Sequence, residues 1–277
     1  MRQVILAGTD LPVSRFSFGT ASLFNAGSGR MRANVLAAAV DHGFTHFDTA
    51  PYYGFGTAER DLRPLLKAHP GITVATKVGI YAPGGEAQSA ASVFLRKAAG
   101  RIVPALSRPT IDWSVTRARQ SLTASLRRLG RARVDLYLLH EPELGLLDSD
   151  EWLRWLESER DRVGRFGIAV DARRLKPFLE AESPLASVIQ TLDSIENREA
   201  DVILDHHRPL QITYGYVRAA RQAGRLNVPA VLAAALRRNR NGSVIVSTRK
   251  PGRLRQYAEI SAAVDSEIAA PLTGISA

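Results

Sequence analysis

The feature that most constrains the fold of this chain is a repeated alternation. Eight short apolar runs, at 16–19, 45–48, 72–77, 134–140, 166–170, 187–191, 211–214 and 243–247, are separated by stretches of helical period. The clearest run, Val134 to His140, reads Val-Asp-Leu-Tyr-Leu-Leu-His and is apolar on both faces, as parallel strands covered on both sides are. Between the runs the apolar spacing changes to that of a helix. Leu36, Ala39 and Val40 lead to a stop at Gly43, and Ala118, Leu122, Leu126 and Leu129 lie between a Ser114 cap and a Gly130 stop. Further helices are expected at 58–67, 150–159, 172–180 and 228–238. Eight strands alternating with helices predict an α/β protein, a single-domain (β/α)8 (TIM) barrel over residues 1–277. Residues 4–6 and 11–14, flanking Gly8-Thr9-Asp10, predict an N-terminal β-hairpin. Residues 78–112, rich in Gly, Ala, Ser and Pro, read as a long functional or mobile loop.

Composition removes several function classes. There is no cysteine, which excludes disulfides, thiol nucleophiles and Cys-zinc sites. The first residues lack the apolar core of a signal peptide, and no apolar run approaches the ~20 residues of a membrane span, so no membrane association and a cytoplasmic location are expected. The formal charge of +10 raises nucleic acid as a partner. The excess is scattered as arginines on helices, such as Arg127, Arg128, Arg237, Arg238 and Arg240, without a nucleic-acid-binding motif. A field of this sign suits an anionic small molecule instead. The oligomeric state is not legible.

In a (β/α)8 barrel, chemistry is placed where strands end and βα loops begin. Asp48 ends the second core strand, Lys77 the third and His140 the fourth, while Tyr53 lies in the loop after Asp48. Together they supply acid–base parts. A free tyrosine, with a pKa of about 10, is a poor proton donor or acceptor at neutral pH. A neighbouring ammonium is expected to lower that pKa, and a carboxylate can fix the ammonium. The imidazole can hydrogen-bond a substrate oxygen. Taken singly, each has a duller reading: a strand-end Asp caps turns, a lone Lys snorkels to water, and a lone His is structural. Four at the ends of three successive strands make a site.

Asp48-Thr49-Ala50-Pro51-Tyr52-Tyr53-Gly54, Ala75-Thr76-Lys77, the run from Ser121 to Gly130 and Val134 to His140 together resemble the aldo-keto reductases. The spacing to Glu59, and Asp112-Trp113-Ser114, resemble the branch that oxidises free aldoses at C1. The resemblance implies a catalytic tetrad of Asp48, Tyr53, Lys77 and His140 acting on a carbonyl compound or an aldose. It also implies NADP(H) lying across the strand ends without a glycine-rich fingerprint. On that reading Gly19 and Thr20 border the cofactor, Gln190 meets the nicotinamide amide and Tyr214 stacks on its ring. Thr248, Arg249 and Arg253 would take phosphate at the start of the last helix, with Gln256 nearer the adenine.

Two departures stand out. Where the family commonly has Ser-Asn after its fifth strand, this chain has Ala169-Val170, and after the seventh Gly215-Tyr216-Val217 leads at once into Arg218-Ala219-Ala220. They leave open a second reading, a nucleotide-binding sensor or regulatory protein with little turnover. Other chemistries lack their motifs. Gly27-Ser28-Gly29 and Gly54-Phe55-Gly56 are followed by Arg32 and Glu59 where a dinucleotide fingerprint needs a third small residue. His206-His207 is the only close histidine pair, so no metal is expected.

Overall fold

The computed structural model describes residues 1–85, 90–99, 108–224 and 227–269. Strands β1 (Gln3–Ile5) and β2 (Pro12–Ser14) form an antiparallel hairpin. Then follow β3 (Phe16–Gly19), α1 (Gly29–Asp41), β4 (His46–Asp48), α2 (Thr57–Ala68) and β5 (Thr73–Val78). A small excursion comes next: β6 (Ile80–Tyr81), α3 (Ala90–Ala99) and β7 (Thr110–Ile111). The chain resumes its alternation with α4 (Val115–Leu129), β8 (Val134–His140), α5 (Ser149–Ser158), β9 (Val163–Val170), α6 (Ala172–Glu180) and β10 (Val188–Leu192). It continues through α7 (Asp201–Asp205), β11 (Ile212–Tyr214), α8 (Tyr216–Gln222), α9 (Val228–Arg238), β12 (Ser243–Val246) and α10 (Gly252–Ala269).

Eight parallel strands close on themselves in the order β3-β4-β5-β8-β9-β10-β11-β12, with Val244 to Val246 of β12 in register with Phe16 to Phe18 of β3. Alternation along each strand sorts side chains into two cores. Phe47, Val74, Leu139, Ile168, Val170 and Ile189 face outward, sharing one cluster with Leu36, Leu62, Leu122, Trp152, Phe178 and Leu254 of the helices. Ala75, Leu136, Leu138, Ala169, Val188 and Ile212 face inward, packed with Leu6, Leu11 and Val13 of the hairpin. The hairpin therefore plugs the floor of the barrel. The inner strand positions named here carry Ala, Val, Leu or Ile and no aromatic ring, as the closed space that eight strands share allows.

Local signals are obeyed with small shifts. Ser114, Asp171 and Asn227 accept backbone N–H bonds as caps, and Gly130 ends α4 in the left-handed region. Thr57 is the first residue of α2 and Gly56 its cap, one residue from the expected start. The long segment after β5 is not one loop: it holds the β6–β7 ladder and α3, and the rest of that expectation falls outside the described residues. Among the described residues no helix is long and apolar enough to cross a membrane.

One long-range contact fastens the ends of the barrel. The Arg15 guanidinium, fully buried between β2 and β3, donates to the carbonyls of Leu236, Asn239 and Gly242 at 2.5–2.7 Å and to Asp265 at 3.2 Å. It caps the carbonyls left free at the C-terminus of α9, where a cation also meets the negative end of the helix dipole.

Candidate active site

Inward-facing residues one layer above the inner core form the site. In β4, His46 and Asp48 face inward with Phe47 outward; Lys77 continues the face of Ala75, and His140 that of Leu138. Asp48, Lys77 and His140 wall a cavity of about 340 Å³ with Tyr53, Ala169, Gln190, Tyr214, Gly19, Ala21, Glu141, Gly215, Ile245 and Ser247. All four expected acid–base residues thus meet in one cavity at the C-terminal ends of the strands.

Lys77 Nζ donates to Asp48 Oδ1 at 2.5 Å and to Thr49 O at 2.9 Å, and it lies 5.0 Å from the Tyr53 ring centroid. The Tyr53 ring meets the His140 imidazole edge-on, with centroids 6.0 Å apart. Tyr53 is held by a tight loop in which Gly54, Phe55 and Gly56 all have positive φ, at 60°, 53° and 78°. Beneath that loop Glu59 is wholly buried. It accepts from Arg128 Nε and from Thr76 Oγ1, the neighbour of Lys77, at 2.5 and 2.6 Å.

The electrostatics correct one expectation. The Tyr53 phenol is pushed well above its ordinary pKa, first by loss of hydration and then by the negative charges of Asp48 and Glu141. Lys77 cannot reverse this because Asp48 already pairs with its charge. Lys77 is itself lowered by burial, against the opposing pull of Asp48. Burial, with Lys77 adding to it, drops the pKa of His140 to about 3, so the imidazole is neutral around pH 7. His46, one layer below, is neutral for the same reasons, with Nδ1 2.8 Å from Thr73 Oγ1. The wall therefore presents a protonated phenol, an ion pair and a neutral imidazole.

The cofactor residues divide. Gln190 Oε1 is buried in the cavity with no partner among the described residues, an acceptor suited to an amide NH2. Tyr214 and Gly19 also line the cavity. A Cβ on Gly19 would come within 2.7 Å of Ile245 Cγ2, so its missing side chain serves strand packing at the wall. Thr20 is absent from the wall: both its N–H and its hydroxyl go to Asp48 O, at 2.9 and 3.0 Å. Past Ser247, the buried Thr248 accepts from Lys250 N–H, and Arg249, Arg253 and Gln256 are exposed at the start of α10. Arg253 also bonds Tyr257. These residues do not line the cavity; they follow in sequence from Ser247, which does. Of Ala169 and Val170, the last two residues of β9, only Ala169 faces the cavity; Val170 packs outward. Tyr216 starts α8 directly, buried with its hydroxyl donated to Asp193. Among the described residues no group of three metal-ligating side chains occurs.

Glu141 escaped the sequence reading. Alternation after His140 would point it outward, but its φ of +57° turns it back to the cavity. A charged residue directly following a strand-end histidine was the only signal.

A parallel (β/α)8 barrel with an acid–base cluster at its strand ends defines a barrel enzyme class, and comparison narrows it. Residues 15–169 match the aldo/keto reductase family. A D-threo-aldose 1-dehydrogenase from a Pseudomonas species is 34% identical over 148 residues, covering 51% of this chain and 44% of the relative. A 6-dehydroglucose reductase from Agrobacterium fabrum is 37% identical over 120 residues, covering 42% and 35%. The chain is matched over less than half the length of both curated relatives. An aldo-keto reductase from Klebsiella pneumoniae, solved with NADPH, superposes with a TM-score of 0.65 at 19% identity, covering 98% of this chain and 97% of that one, and shares the fold. The chain belongs to the aldo/keto reductase family, whose members are oxidoreductases that use nicotinamide cofactors.

Proposed function

We propose that this barrel interconverts a carbonyl compound and its alcohol, or an aldose and its lactone, with NADP(H), and that Tyr53 is the general acid and base. The observation that carries this reading is the protonated Tyr53 phenol at the cavity wall, flanked by His140 and by a Lys77 ammonium fixed to Asp48. In reduction, hydride reaches the carbonyl carbon, the π electrons move to oxygen, and Tyr53 gives its proton to that oxygen. Lys77 then faces a phenolate and stabilises it, while Asp48 and Thr49 O keep the ammonium in place. Neutral His140 orients the carbonyl oxygen and contributes no ionic charge. The raised pKa keeps Tyr53 protonated at neutral pH, the form from which it can donate in reduction.

When bound, the nicotinamide supplies or accepts the hydride. Gln190 would hold its amide and Tyr214 its ring face, while Thr248, Arg249 and Arg253 would take the phosphates. The orphaned Gln190 oxygen supports that fit. The apolar Ala169 wall favours the second reading, a nucleotide sensor with little turnover.

The test is a screen of aldehydes, ketones and aldoses, following NADPH in both directions, with Tyr53→Phe alongside. Turnover should be present and should fall ~10²–10⁴-fold in the variant, the usual range for a positioned acid–base group. Unchanged kcat in folded Tyr53→Phe removes the assignment. Tight NADPH binding with no turnover selects the sensor.

A further inference from the structure

Glu141 is a carboxylate that the acid–base mechanism does not use. It stands on the cavity wall beside His140, near enough to Tyr53 and Tyr214 for its charge to oppose ionisation of both phenols. A negative charge there disfavours the phenolate that Tyr53 must become. Its backbone is also costly, because a left-handed φ in a residue with a Cβ is strained. Nothing in proton transfer accounts for placing a carboxylate at this point.

Its surroundings hold it without using it up. The Glu141 N–H donates to Ala169 O at 2.8 Å, and Arg174 Nη1 reaches both the Glu141 carbonyl and Oε2 at 3.3 Å. The N–H of Asp171, at the start of α6, also donates to the carboxylate. Arg174 is shared with Glu143 at 3.4 Å. A carboxylate offers about four acceptor sites, and these contacts occupy two. About a quarter of the side chain, 26%, remains open. Glu141 and Glu143 share one guanidinium and the charge of Asp171 also acts on Glu141, so this wall is locally acidic on a chain whose formal charge is +10.

Resting on the carbonyl-reduction reading above, we propose that Glu141 sets substrate class: its carboxylate accepts hydrogen bonds from the hydroxyl groups of a neutral polyhydroxylated carbonyl compound. The same charge rejects carbonyl compounds that carry a carboxylate or phosphate. Donors of the substrate complete the open acceptor sites, and a site built with buried acceptors discriminates strongly against analogues lacking the donors. Glu141 is a specificity-determining residue, and Arg174 positions it.

The experiment compares propanal, glyceraldehyde and succinic semialdehyde as substrates, with NADPH, for the unmodified protein, Glu141→Gln and Glu141→Asn. Gln keeps the shape without the charge, and Asn tolerates the left-handed backbone while withdrawing the group from the cavity. Saturation-transfer NMR of erythritol, an unreactive polyol, reports binding without turnover. The expected result is a KM for glyceraldehyde raised ~10–100-fold in both variants, the range for one lost charge-assisted hydrogen bond. Propanal should change less than ~3-fold, and succinic semialdehyde should improve. Equal losses on all three substrates would mean that Glu141 only supports α6, and would overturn the proposal. So would an unmodified protein that shows no saturation transfer from erythritol. Absence of turnover, with erythritol binding present and lost in both variants, would overturn the carbonyl-reduction reading and uphold the assignment of Glu141.

Discussion

The buried pair Glu59–Arg128 makes the sharpest stability prediction. Glu59 is wholly enclosed, and its two oxygens are met by Arg128 Nε and Thr76 Oγ1, while Arg128 Nη2 also donates to Ser125 Oγ at 3.0 Å. Glu59→Gln takes the Glu59 charge away from a buried guanidinium, and Arg128→Met leaves the buried Glu59 carboxylate without the Arg128 charge. Breaking such a pair from one side costs about 3–5 kcal/mol. An unfolding entropy of about 2.1 cal/mol/K per residue over 277 residues is about 0.6 kcal/mol/K, so each single change should lower Tm by ~5–9 °C. Replacing both partners together, Glu59→Met with Arg128→Met, removes both charges and should recover most of the loss. Scanning calorimetry at pH 7 measures all three. Hydrogen exchange at residues 53–57 should rise in the singles, because Arg128 Cδ lies 3.0 Å from where a Gly56 Cβ would stand and so supports the Tyr53 loop. A single variant that melts within ~2 °C of the parent, or a double that loses as much as the two singles added, would refute the reasoning.

Arg253→Ala should weaken NADPH by about ten- to a hundred-fold and leave NADH within ~3-fold, read by fluorescence titration of each; equal losses would mean that Arg253 does not read the 2′-phosphate. Ala169→Ser should tighten NADPH and slow its release in stopped-flow, since that position faces the cavity. Val170→Asn should instead cost about 1–3 kcal/mol of stability by urea titration, because it buries an amide in the outer apolar layer. Stability should fall with acid: His46 and His140 are held at a pKa of about 3 against an unfolded value of 6.5, so the unfolded chain binds more protons below that value. The loss from pH 6.5 to 5 is up to about 2 kcal/mol per histidine, and His46→Gln should remove its share; a pH-independent urea midpoint would contradict this.

The barrel was legible because its signals are local. Val134 to His140 needs no partner to announce a strand covered on both faces, and Ser114 and Gly130 mark a helix within themselves. The candidate site was legible where alternation continues to the end of a strand, which brought Asp48, Lys77 and His140 to one wall. It failed where the backbone leaves the pattern, as at Glu141, whose left-handed turn reverses the side expected of it. Thr20 illustrates another limit, since a strand-end hydroxyl has many possible acceptors and this one serves Asp48 O. The tyrosine's pKa went the opposite way from expectation because a sequence lists charges but not their hydration. Distance in sequence hid Arg15 entirely, with partners 221 to 250 residues away.

That last contact has a consequence for how the protein is made. A ribosome delivers β3 with one edge free to pair with β4 and the other committed to a strand that emerges more than 220 residues later. Until α9, β12 and α10 have left the exit tunnel, the guanidinium of Arg15 has none of its four acceptors. The nascent chain is therefore an open sheet with two raw edges, the form most prone to stick to its neighbours. Closure waits for β12, and the wall that carries Gly19 and Ser247 comes into being only then.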